Sequence, residues 1–224
     1  MNYQEHFDRS VEIRNEFWSK VGTVHPDVMA HAINPGFMGG PMWPSVRQAF
    51  LKIDTPTGTI IASDGLSDPY SDFDENPANQ TYNGVGCEFY LECDETIDFN
   101  ALSTTWQFHT LYQAAQQAAS NPNIASIIEE YTYLSTELYD TNAPDEFVNK
   151  DGRVGALLAL PSPTVPASVQ LSLEKVRMIN VKLLTLAELD YIIKNGEEGR
   201  MKIGELLLKQ DKPGKSFVSR KSVV

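Results

Sequence analysis

Apolar and polar residues alternate most strictly near the middle of the chain. Val85, Cys87, Phe89, Leu91 and Cys93 interleave with Gly86, Glu88, Tyr90 and Glu92, a period of two that predicts a strand over 83–93 with an apolar face. A buried carboxylate is costly without donors, so Glu88 is expected to be held by backbone or hydroxyl groups if it lies inside. Leu51–Thr55 and Thr59–Ser63 flank Pro56-Thr57-Gly58 and read as a hairpin. Residues 155–160, 169–173 and 176–183 predict further strands, while Pro161, Pro163 and Pro166 cannot sit in a central one.

Helical signals appear in five places. Tyr3, Phe7, Val11 and Trp18 recur at intervals of four, four and seven and predict an opening helix to about Lys20, with those residues as its inner stripe. Trp106, His109 or Leu111, Tyr112, Ala115 and Ala119 mark a helix near 104–119. Ile124, Ile127, Ile128, Tyr131, Leu134 and Leu138 mark another near 122–138, with Asn121 as N-cap and Pro122 at the first helical position. Thr185-Leu186-Ala187-Glu188 is a capping box opening a helix to Lys194, closed by Asn195-Gly196. Met201–Lys209 predicts one more helix, and the basic stretch 212–221 reads as a mobile or strand-adding tail. Between the first helix and the hairpin, residues 25–44 are too rich in glycine and proline for regular structure. The expected class is α+β, a mixed and mainly antiparallel sheet flanked by helices.

Composition narrows the class of protein. A chain of 224 residues with 42% apolar content supplies a sizeable core. It is read as a single domain over 1–224, and a subdomain boundary would fall near 140–152. The net charge is −12. Residues 174–224 hold eleven Lys or Arg against seven Asp or Glu, and the remaining residues seven against 23, so the front carries −16 and the tail +4. Such a front repels nucleic acid and steers a basic partner, or it serves solubility alone. No apolar run suits a membrane span, and the first residues lack a basic, apolar leader, so the expected location is cytoplasmic. Cys87 and Cys93 share one strand face about 20 Å apart, beyond disulfide reach, and are expected as buried thiols in a reducing compartment.

Motifs for chemistry are sparse. His6, His25, His31 and His109 match no metal spacing, and the glycines at 36, 39 and 40 lack the context of a phosphate loop. Ser63 and Ser67 have no elbow motif and no local histidine. Asp64 and Asp68 fit turn caps around Gly65 and Pro69. The reading is therefore non-enzymatic, with no catalytic residue, cofactor or metal; the alternative is a hydrolase using Asp64, Asp68 and Glu88 as metal or acid/base carboxylates. Phe37, Met38, Met42 and Trp43 form an apolar cluster on a loop that either folds onto the core or anchors a partner.

Several ordered segments resemble the suppressor of fused family. They are Gly39-Gly40-Pro41, Asp64-Gly65-Leu66-Ser67-Asp68, Gly84-Val85-Gly86-Cys87-Glu88-Phe89, Thr105-Trp106 opening a helix, Leu184-Thr185-Leu186-Ala187-Glu188-Leu189 and the closing Ser219-Arg220-Lys221-Ser222. Cys87 departs from a usual aromatic, and Tyr90 stands where threonine is common. The resemblance implies a mixed α/β domain without catalytic activity that holds a protein partner. Animal members restrain a transcription factor through an extended peptide. Shorter bacterial members look like immunity proteins that neutralise a toxin, and a regulatory subunit sequestering a transcription factor-like protein is the other form. The expected partner is a protein, a basic toxin domain or an extended peptide, with no nucleic acid or membrane. The expected contact residues are Phe37, Met38, Met42, Trp43, Asp64, Asp68, Tyr70 and Glu88.

Overall fold

A computed structural model describes residues 1–224. In chain order the elements are helix α1 (Tyr3–Val21), the two-residue strands β1 (Thr23–Val24) and β2 (Met29–Ala30), the hairpin β3 (Ala49–Thr55) and β4 (Gly58–Asp64), and β5 (Cys87–Cys93). Helices α2 (Trp106–Ala119) and α3 (Ile124–Tyr131) follow, then β6 (Leu134–Leu138), β7 (Val154–Leu158), β8 (Ser168–Gln170), β9 (Lys175–Leu183) and α4 (Leu186–Leu207). The strands form one sheet in the order β1-β3-β4-β5-β9-β7-β6, with β2 also on β3 and β8 also on β9. Only the β5–β9 pair is parallel. This is the α+β class, a mixed and mainly antiparallel sheet with flanking helices. No helix is long and apolar enough to cross a membrane.

The strand alternation sorts side chains into separate cores. Phe50, Ile61, Cys87, Phe89, Leu91 and Cys93 pack with Phe108, Leu111 and Ala115 of α2. Leu51, Ile53, Ile60, Ala62 and Tyr90 point the other way, onto Phe17 and Trp18 of α1. Leu157 of β7 likewise faces Ile192, Ile203 and Leu207 of α4. Thus α1 and α4 cover one face and α2 the other, and β5 is buried along its whole length. Both cysteines are buried free thiols. Burial, with smaller help from the acids Glu95 and Asp94 and against the backbone contacts to Glu95 and Thr59, leaves the Cys93 thiol pushed up to about 11.

One expected helix changes form and another turns a different face inward. The pattern over 122–138 divides: α3 ends at Tyr131, Thr132 takes a positive φ of 63°, and Leu134–Leu138 pairs with β7 as a strand. Leu134, Thr136 and Leu138 satisfy period two as well as the helical spacing, and pairing with Leu158, Ala156 and Val154 decides between them. Asn121 and Pro122 precede the helix, whose N-cap is Asn123. The inner side of α1 is also turned: Ser10, Arg14, Phe17 and Trp18 are buried, while Phe7 and Val11 are half-exposed. The strand expected over 83–93 begins only at Cys87, because Gly84 and Gly86 take positive φ of 57° and 74° and the chain turns there. Thr185 and Glu188 form the capping box, and Gly196 breaks α4 with φ 58° and ψ −132°.

The tail is an interior strap. Ser216 donates its N–H to Glu92 O (2.7 Å), its hydroxyl accepts from Leu183 N (2.9 Å), and Asn180 Nδ2 donates to Gly214 O (3.0 Å). Arg220 is buried and donates to Glu188 Oε2 at 2.6 Å and to Leu183 O at 3.1 Å. Of the basic residues in the stretch expected to be mobile or strand-adding, Lys215 and Arg220 face the buried acids Glu92 and Glu188, and Lys215 forms a single parallel bridge with Glu92 of β5.

Candidate partner-binding surface and the charge network beneath it

The loop from Ile33 to Arg47 is exposed and also pinned. Asn34 Oδ1 accepts the Gly36 N–H (2.8 Å) and starts a 3-10 turn at Pro35–Met38, which Gly39 ends with φ 88°. That turn aims Phe37 and Met38 at solvent, 70% and 77% exposed, with Ile33 at 66% and Met42 at 47% beside them in sequence. Trp43 then enters the core, 2% exposed, edge-on to Phe50 with ring centroids 5.7 Å apart. Gln48 Nε2 donates to Pro41 O (3.0 Å) and to Asn34 Oδ1 (3.2 Å), and the Asn34 amide donates to Val46 O. Exposed apolar side chains on a held backbone lose little entropy on being covered, which is what a binding anchor requires.

Beneath the loop lies a charge network, its acids and Arg14 buried and Arg47 half-buried. Arg14 Nε donates to Asp64 Oδ1 (2.7 Å), one terminal nitrogen donates to Asp68, and the other reaches Ser67 Oγ (3.2 Å). Arg47 donates to the Asp64 carboxylate and, at 3.1 Å, to Asp64 O, while Ser45 Oγ donates to Asp68 Oδ2 (2.6 Å). Glu88 accepts four bonds: Gly65 N (3.0 Å), Ser67 N (2.8 Å), Ser67 Oγ (2.6 Å) and Ser63 Oγ. Burial opposes each ionised form, yet the carboxylates around Arg14 outweigh it and raise the Arg14 pKa, while Arg14 and Arg47 outweigh it at Asp64 and lower that pKa. At Glu88 burial prevails and the pKa is raised; Arg14 pulls against it and Asp64 adds to it.

The eight expected contact residues therefore occupy three places. Phe37, Met38 and Met42 are on the surface. Trp43, Asp64, Asp68 and Glu88 are interior, at most 2% exposed. Asp64 and Asp68 do not cap their own turn and present no charge to a partner, because two guanidinium groups take up their oxygens. Tyr70 is half-buried in a different cleft, with Tyr82, Gly84 and Arg177. The residues that sequence reasoning missed are Arg14 and Arg47. Arg14 sits between the apolar positions of α1 with no local sign that it points inward; the only hint was a pair of acids, Asp64 and Asp68, in need of cations.

Neither a sequence-family profile nor any curated protein sequence matches the chain. Solved structures do. A chain of the Sufu–Fu complex crystal structure superposes with a TM-score of 0.60 over 97% of this chain and 92% of that one, at 12% identity. The fold is suppressor of fused-like. The crystal structure of Drosophila Suppressor of Fused gives a TM-score of 0.52 at 10% identity, over 96% of this chain and 51% of that chain, so this chain spans about half of the fly protein's length. Within the suppressor of fused-like fold, the segments Asp64–Asp68 and Gly84–Phe89 are one structure: the first wraps the Glu88 carboxylate of the second, and Val85 N donates to Leu66 O at 2.9 Å.

Proposed function

We propose that the chain is a non-enzymatic protein-binding module that holds its partner on the Ile33–Met42 loop. The observation that carries this reading is the exposure of Phe37 and Met38 on a backbone fixed by Asn34, Gln48 and Trp43. The likeness to a chain solved in the Sufu–Fu complex supports a partner protein in general. The hydrolase reading loses its residues, since the oxygens of Asp64, Asp68 and Glu88 are occupied by arginine, hydroxyl and amide donors. In its specific form the reading is bacterial immunity in the cytoplasm, with a basic toxin domain as partner. The −12 charge of the chain favours encounter with such a partner. Co-expression with the toxin domain of a neighbouring reading frame tests it. Restored growth that is lost in Phe37→Ser/Met38→Ser supports the reading, and killing unaffected by the wild-type chain contradicts the immunity form.

A further inference from the structure

Strand β9 has two neighbours on one side. Arg177 pairs with Cys87 of β5 across one edge and with Ser168 of β8 across the other, and further along that second edge Val181 pairs with Leu158 of β7. Where β8 and β7 part, residues 159–167 leave the sheet as a proline-rich loop, tied at its ends by Met178 N to Ala167 O and Ala159 N to Asn180 O, both 2.9 Å. The opening holds a cavity of about 490 Å³, walled by Leu160, Val165, Met178 and Ile179 and by the prolines of the loop. That volume lies within the range of small-ligand sites, about 300–1,000 Å³.

Three features set this cavity apart from a packing fault. Pro161, Pro163 and Pro166 have fixed φ, so the wall is formed before anything binds. Thr132 (φ 63°) and Ala159 (φ 71°), both in the lining, hold left-handed backbone without being glycine, which costs on the order of 1–3 kcal/mol each. Arg177 lines the cavity where it meets the neighbouring polar cleft. Arg14, Arg47 and Arg220 each hold a carboxylate, whereas Arg177, half-buried, enters no ion pair. Glu129, also in the lining, stays outside ion-pairing distance of it and would repel a doubly charged head group.

We infer that this cavity binds a small apolar monoanion, a carboxylic acid whose hydrocarbon or aromatic body lies on the proline wall and whose carboxylate meets the Arg177 guanidinium. The site is separate from the Ile33–Met42 loop, so the two readings fail independently. The probe is 8-anilinonaphthalene-1-sulfonate, an aromatic monoanion that fluoresces when its body is enclosed. The wild-type chain should bind it saturably, decanoate should displace it, and decanol should not. Arg177→Gln should weaken binding about tenfold, as expected for a charged hydrogen bond, and Arg177→Lys by less. Glu129→Gln, on an exposed helix position, should tighten it. Phe37→Ser/Met38→Ser should leave it unchanged. Unaltered binding in a folded Arg177→Gln chain, displacement by decanol as effective as by decanoate, or loss of the signal in the loop variant would each overturn the inference. If Arg177→Gln does not fold, an absent response to Glu129→Gln would do the same.

Discussion

At the scale of single residues, the buried charges are the features that composition concealed. A count of acids predicts a repulsive surface, but Asp64, Asp68, Glu88 and Glu188 are interior and matched by Arg14, Arg47 and Arg220 or by local donors. Removing one member leaves its partners charged in a dry environment. Arg14→Met is expected to destabilise the fold by about 3–5 kcal/mol in denaturant titration, far more than loss of a surface cation. Lys182 offers a pH test. Burial first, then Arg220, lowers its pKa to about 7, against the pull of Glu188, Glu92 and Asp94. Between that value and the unfolded pKa, about 10.4, the unfolded chain binds the extra proton, so stability rises with pH in this window. Relative to Lys182→Met, the wild-type chain should gain stability from pH 7 to 9 with a slope of at most about 1.4 kcal/mol per unit. Equal slopes in the two proteins would show that Lys182 keeps its proton.

At the scale of elements, local chemistry was legible at several caps and turns, though the start signal Asn121-Pro122 fell short of the helix, whose N-cap is Asn123. The Thr185 capping box, the turn at Pro56-Thr57 and the break at Gly196 follow from residue type, and all stand in the structure. Leu134–Leu138 was not legible, because its leucines fit both periods and only pairing with β7 separates them. The inner face of α1 was hidden for another reason: Arg14, a charged residue, is central to it, while Phe7 and Val11 of the apolar stripe stay half-exposed. Gly196 gives a clean measurement. A Cβ at this position would meet nothing within 4 Å, so the cost of Gly196→Ala is conformational. It should be about 1–3 kcal/mol by denaturant titration, with Asn195→Ala near neutral.

At the scale of the whole molecule, the sheet and its helices act as a frame for the Ile33–Met42 loop. The sequence showed the cluster Phe37, Met38, Met42 and Trp43 but left open whether it faces the core or a partner. The structure divides it, with Trp43 anchored on Phe50 and the other three outside. Asp64 and Asp68 were expected among the contact residues, and three-dimensional pairing with Arg14 and Arg47 assigns them to the frame instead. The long-range field is then left to exposed acids such as Asp8, Glu12 and Glu16 on α1. Calorimetric titration of the proposed partner, a basic toxin domain, into the wild-type chain and into Phe37→Ser/Met38→Ser, with melting curves of both, decides whether the Ile33–Met42 loop is the binding surface. Tight binding by the wild type, a loss of about 2–4 kcal/mol in the variant, the range expected when anchor residues are removed, and unchanged melting are the expected results. Equal affinity in the two proteins would contradict that role for the loop.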